Sequence, residues 1–190
     1  MGYDLLAAIG FAILTPIVLF GFAAYWFFTH RERALVEDAW RAYAEARGLD
    51  FEEASGEWPN RTSPELRWTV GEARCELRTL GKESRAHTRL VIHPGPKLLG
   101  TLVAVARNAT TLQVRSHPSV LADRLLTEDL RRALLAFGSG GAVSLAYRRG
   151  RVVIEWRGRE QNDARLDEAR RLADLVPAAV EAAFHAAAAA

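Results

Sequence analysis

The stretch ELRWTVGEARCELR, Glu65–Arg78, decides the fold, because its apolar residues fall at every second position. Leu66, Trp68 and Val70 alternate with Arg67 and Thr69, and Cys75 and Leu77 alternate with Arg74, Glu76 and Arg78. Successive side chains of a strand point to opposite faces, so this pattern predicts two strands with one face buried and the other wet. Gly71-Glu72 separates the runs and turns them into a hairpin.

Toward the C-terminus the same period continues. Thr88, Leu90 and Ile92 against His87, Arg89 and His93 predict a third strand over His87–His93, and PGPKLLG, Pro94–Gly100, breaks the sheet. Residues 101–107 and 111–115 predict a further pair turning at Asn108-Ala109. Thr127 followed by Glu128 and Asp129 is an N-cap with acids in the first turn, and Leu130, Leu134, Leu135 and Phe137 give that helix its apolar face. VSLAYRRGRVVIEW, Val143–Trp156, predicts a second hairpin turning at Arg149-Gly150. Asn162 caps a last helix with Leu166, Ala169, Leu172, Ala173 and Val176 as its stripe, Asp167 and Arg171 as an i,i+4 pair, and Pro177 as a bend or restart.

Toward the N-terminus the pattern changes. Leu5–Phe28 carries no charged residue, and as a helix it covers about 36 Å, enough for a bilayer core of about 30 Å. The flank before it, MGYD, has no Lys or Arg, which argues for a retained anchor over a cleaved signal peptide. Tyr25 and Trp26 suit the headgroup level, with Tyr3 at the opposite interface. Arg31, Arg33, Arg41 and Arg47 follow the span while Asp4 precedes it, so the positive-inside rule puts the N-terminus outside and the remainder in the cytoplasm. Pro16 predicts a kink within the span, and Ala8 with Ala12 offers a small-residue face for another helix. Beyond the collar, Leu35, Val36, Ala39, Trp40, Tyr43 and Ala46 form an amphipathic stripe ending at Gly48, and residues 50–64 lack any period and read as a connector.

These elements predict an α+β protein: a transmembrane helix, then a mainly antiparallel sheet domain in the order helix, about five strands, helix, hairpin, helix. The expected division is an external N-terminus at 1–4, a span at 5–28, a basic collar at 29–33, a cytoplasmic domain at 34–185 and an Ala-rich tail at 186–190.

Few chemistries find their parts. The chain holds 25 Lys+Arg against 23 Asp+Glu and one cysteine, which argues against a polycationic nucleic-acid binder and against any disulfide or multi-cysteine metal framework. His30, His87, His93, His117 and His185 form no metal-binding motif, and His87 and His93, six residues apart on one strand, stand about 20 Å from each other. Cys75 falls on the apolar side of its hairpin and reads as an inert thiol. Gly138–Gly141 follows a helix and precedes a strand, the reverse of a phosphate loop. The acceptor triplets Asn60-Arg61-Thr62 and Asn108-Ala109-Thr110 stay bare on a cytoplasmic face. No catalytic, cofactor-binding or metal-binding residue is assigned, and no cofactor is expected.

Arg148, Arg149, Arg151, Arg157 and Arg159, interleaved with Tyr147 and Trp156, are the strongest local charge feature. Beside an anchored domain they suggest contact with anionic headgroups. With Tyr25, Trp26, Arg31 and Arg33 as the membrane-interface residues, the expected partners are the lipid bilayer, its anionic headgroups and another membrane or cytoplasmic protein, with nucleic acid disfavoured.

LLTEDLRRALLAF (Leu125–Phe137), the Gly loop, the Val143–Trp156 hairpin and the Ala/Leu/Arg helix, together with Trp40, Ala44, Ala46, Gly48 and Leu49, make the chain resemble uncharacterised bacterial single-pass membrane-anchored domains. That resemblance implies location at the inner membrane and carries no site residues. The functional expectation is a binding or scaffolding module at the membrane surface. The competing one is a membrane-anchored enzyme with a site built from dispersed residues.

Overall fold

The computed structural model describes residues 2–56, 62–81 and 85–188. The acceptor triplet at Asn60 begins outside these residues, as do Ala189 and Ala190 of the tail, and the side chains of Tyr3, Asp4 and Ala8 are also outside the described set.

The chain opens with one helix, α1, Gly2–Arg47. Span, collar and amphipathic stripe are therefore a single rod, about 69 Å long at the rise of an α-helix. Pro16 lies inside it without ending it. Gly48, at φ 63, supplies the left-handed residue that stops it.

The strands are β1 (Asp50–Glu52), β2 (Glu65–Val70), β3 (Ala73–Leu80), β4 (His87–His93), β5 (Thr101–Ala106), β6 (Leu112–His117), β7 (Val143–Arg148) and β8 (Arg151–Arg157). Between β6 and β7 lie α2 (Val120–Leu125) and α3 (Glu128–Gly138), and α4 (Asp163–Ala188) ends the chain. All eight strands join one antiparallel sheet in the order β1-β2-β3-β4-β8-β7-β5-β6.

Two expectations are corrected. The sheet has eight strands rather than about five, because the expected hairpin, β7–β8, is inserted into the same sheet and one further edge strand, β1, lies in the supposed connector. Only three residues long, β1 has too few positions for alternation to show; its pairing with β2 makes it a strand. The helix order also differs, because α2 precedes α3, and Pro177 sits within a continuous α4 instead of restarting it.

Register explains why the sheet has two unlike faces. Phe51, Leu66, Leu77, Leu90, Ile154, Leu145, Ala104 and Val114 lie side by side across all eight strands. This apolar row packs under the helices in one core with Val36, Trp40 and Tyr43 of α1, Phe137 of α3 and Leu172 and Val176 of α4. One residue along, the opposite face reads Asp50, Arg67, Glu76, Val91, Val153, Ala146, Val103 and Arg115. No described helix covers it. Val103 is 43% exposed there, and Val153 and Ala146 are half-buried.

Candidate interaction surface

α1 is joined to the domain by polar bonds that sequence spacing does not show. Trp40 is fully buried, and its Nε1 donates to the Glu160 carbonyl at 2.7 Å. The Tyr43 hydroxyl donates to Asp167 at 2.8 Å, and Arg47 donates through Nε and Nη2 to both oxygens of the same carboxylate, each at 2.7 Å. Asp167 was expected to pair along its own helix with Arg171; it bridges to α1 instead. The Arg47 hydrogen bonds hold the Asp167 carboxyl below its ordinary value, and burial, then the Asp167 bond, pushes the Tyr43 phenol up. Such a bidentate Arg–carboxylate pair fixes geometry as well as charge.

The arginines expected to form one patch are divided. Arg159, on the loop after β8, donates to Glu32 of the collar at 2.9 Å, with its side chain only 10% exposed. It is a strut between α1 and the sheet, and its guanidinium is already engaged. Arg157 is exposed at the end of β8 nearest α1. Arg148, Arg149 and Arg151 occupy the opposite end, about 20 Å away at the rise of β8. Arg33 and Arg159 line one cleft of about 510 Å³ with Glu52, Glu65 and Leu80, which marks the near end of the sheet as the end beside the collar. Tyr25, Trp26 and Arg31 are exposed, and the Trp26 ring meets His30 at a tilt of 47° with ring centroids 4.3 Å apart.

The near part of the open face neutralises its own charges. Arg67 pairs with Glu52 and Glu65 at 2.7 and 2.8 Å, Arg78 with Glu76 at 2.7 Å, and Arg89 with Glu155. His87 and His93 each lie 3.9 Å from a carboxylate, of Glu155 and Glu76 respectively, at the two ends of β4.

The far end does not. Arg148 and Arg151 are direct cross-strand partners, as are Arg74 and His93, and none of the three arginines has a carboxylate within salt-bridge distance among the described residues. Like charges placed opposite each other destabilise a ladder. Between Arg148 and Arg151, Arg149 at φ 54 and Gly150 at φ 72 form the tight turn, the former in a conformation that arginine rarely adopts. Lys97 packs over Gly150, where an added Cβ would stand 2.7 Å from its Cγ. The loop that carries Lys97 is pinned from below. The buried Tyr147 hydroxyl accepts from the Leu98 N–H at 2.6 Å and donates to the Leu98 carbonyl at 3.0 Å. Leu98 is thereby buried while Leu99 is turned out to 92% exposure. An open groove of about 550 Å³ runs between Arg74, His93, Lys97, Arg149 and Arg151, with Glu72 and Glu76 on its wall.

Sequence reasoning singled out the hairpin arginines but missed Arg74, Lys97 and Leu99. The PGPKLLG segment reads only as a break; its side chains gain meaning from the Tyr147 clamp, which is a contact between residues 49 positions apart. Cys75 is fully buried as expected, and desolvation, with Asp174 adding, pushes its thiol up to about 12.

Fold and surface together define a class: a single-sheet α+β domain carried on an N-terminal apolar helix, with helices on one sheet face and the other left open. α1 includes the one candidate membrane span among the described residues, by length and composition. The domain is similar in fold to the mycobacterial trehalose monomycolate transport factor A, TtfA, with a TM-score of 0.55 and 11% identity over 76% of this chain and 94% of that chain. No family model matches the sequence, and no curated protein matches it.

Proposed function

We propose that this is a single-pass inner-membrane protein, akin to the uncharacterised bacterial anchored domains it resembles, whose α+β domain works on the cytoplasmic side as a binding module for another protein. The observation that carries the reading is the open sheet face, with Val91, Val153, Ala146 and Val103 in a row between Glu76 and Arg115. A sheet of eight strands normally buries an apolar row; here the second row has no partner within the described chain. The topology rests on the arginines that follow the span, Arg31, Arg33, Arg41 and Arg47. Arg31 and Arg33, with Arg157 at the near end, are the proposed contacts to anionic headgroups, while the hairpin tip lies about 20 Å, the length of β8, from the end that meets the collar. The fold shared with a protein named as a transport factor is compatible with such a role.

The test is co-purification in mild detergent from native membranes, comparing the natural chain with Val103→Asp. Proteins retained by the natural chain and lost from the variant support the reading, and identical retention refutes it. A reporter fused after Ala190 that is active only outside the cytoplasm would overturn the topology.

A further inference from the structure

We propose that the far end of the open face is a docking site for an acidic protein segment that carries an apolar residue. This rests on the binding-module reading and names the partner's chemistry. Five cations converge on the groove or its rim: Arg74, Lys97, Arg148, Arg149 and Arg151. Their assembly runs against local stability in two ways, through the Arg148–Arg151 pairing across the ladder and through the left-handed conformation of Arg149. An arriving carboxylate relieves the first and gives the guanidinium forks bidentate partners. Leu99 stands beside them on a loop whose backbone is clamped by Tyr147, so an apolar contact at that point requires little ordering on binding.

Two other polyanions fit less well. A lipid surface lies at the wrong end, since the groove is separated from the collar by the length of β8. A nucleic acid threading the groove would find no Phe, Tyr or Trp side chain to stack on among the groove residues. A peptide alternating acidic and apolar residues meets both the cations and the Val103–Ala146–Val153 row that begins two residues along the strands.

The experiment uses the full chain in nanodiscs of zwitterionic lipid and a short fluorescein-labelled peptide of repeating Glu-Glu-Leu. Saturable binding that weakens as salt rises is expected. Arg148→Glu is the decisive variant, because it places opposite charges across the ladder with Arg151 and leaves the hairpin intact. It is expected to weaken the peptide by about tenfold. Leu99→Ser, at a fully solvated position, is expected to weaken it by about threefold. Absence of peptide binding overturns the inference, and so does equal binding by Arg148→Glu. Tighter binding of a single-stranded oligonucleotide at the same arginines, or tethering of vesicles rich in anionic lipid through them, also overturns it in favour of a different polyanion. If Val103→Asp ends co-purification while Arg148→Glu changes neither co-purification nor peptide binding, the sheet-face reading stands and the docking site falls alone.

Discussion

The two ends of the open sheet face are built from the same residue types and treat charge in opposite ways. At the near end, Arg67, Arg78, Arg89 and Arg159 each meet a carboxylate, and the arginine that reaches the collar is almost buried. At the far end, Arg74, Arg148 and Arg151 meet a histidine or one another across the ladder. A self-neutralised surface is the ordinary solution for a solvated sheet, worth little in stability per exposed pair. A surface of unpaired cations held in a strained turn is costly to keep, and such costs are commonly found where a protein binds something. The difference separates a structural end, which joins the domain to its helix, from an end that remains available.

The largest effect should come from striking the joint. Trp40→Ala removes a fully buried indole and its bond to Glu160, and is expected to cost about 3–5 kcal/mol in urea unfolding of the full chain in detergent. Peptide binding by the molecules that remain folded should be unchanged; a parallel loss would show the two ends to be coupled.

The turn provides the sharper contrast. Arg149→Gly relieves the left-handed strain and is expected to stabilise the domain by about 1 kcal/mol while weakening peptide binding. Stabilisation without loss of binding would leave the tip a mere turn.

Strong acid should loosen the joint between α1 and α4. The Asp167 carboxyl is held below its ordinary value by Arg47, so its contribution is complete above the usual carboxylate pKa of about 3.9 and disappears as pH falls through the lowered folded value. Asp167→Asn should flatten that acid limb in a pH series of thermal melts. An unchanged limb would mean that the carboxylate does not sense its partners.

The smallest effect is expected at Glu155→Gln, which unpairs Arg89 on a surface about a third exposed. Less than about 1 kcal/mol should be lost, because solvent screens such a pair. If this new unpaired cation conferred peptide binding on the near end, charge alone, without the groove and Leu99, would explain the far end.

Much of the sheet was legible because alternation is a local property. The β2–β3 and β7–β8 hairpins follow from residues within one or two pleats of each other, and Gly71 and Gly150 stand at their turns with positive φ. β1 was illegible for the same reason, being too short to show a period. α2 was missed because six residues, Val120–Leu125, are too few to show a helical period, and Ser119 at its N-cap makes no side-chain cap hydrogen bond. The five-arginine patch misled because closeness in sequence along a strand means distance in space: Arg151 and Arg157 are at opposite ends of β8.

By itself, the sequence determined the class of elements: an uncharged helix long enough to cross a bilayer, a basic flank, and alternating runs that have to form a sheet with one wet face. Hydrophobic period and charge placement are carried by neighbouring residues, and neighbours suffice to read them. Only the tertiary structure decided which charges would meet. Arg47 finds Asp167 across 120 positions, Arg159 finds Glu32 across 127, and Tyr147 turns Leu99 outward beside arginines that find no carboxylate. Pairing depends on the strand order and the path of α1 over the sheet, and those are set by burial of the whole apolar face at once.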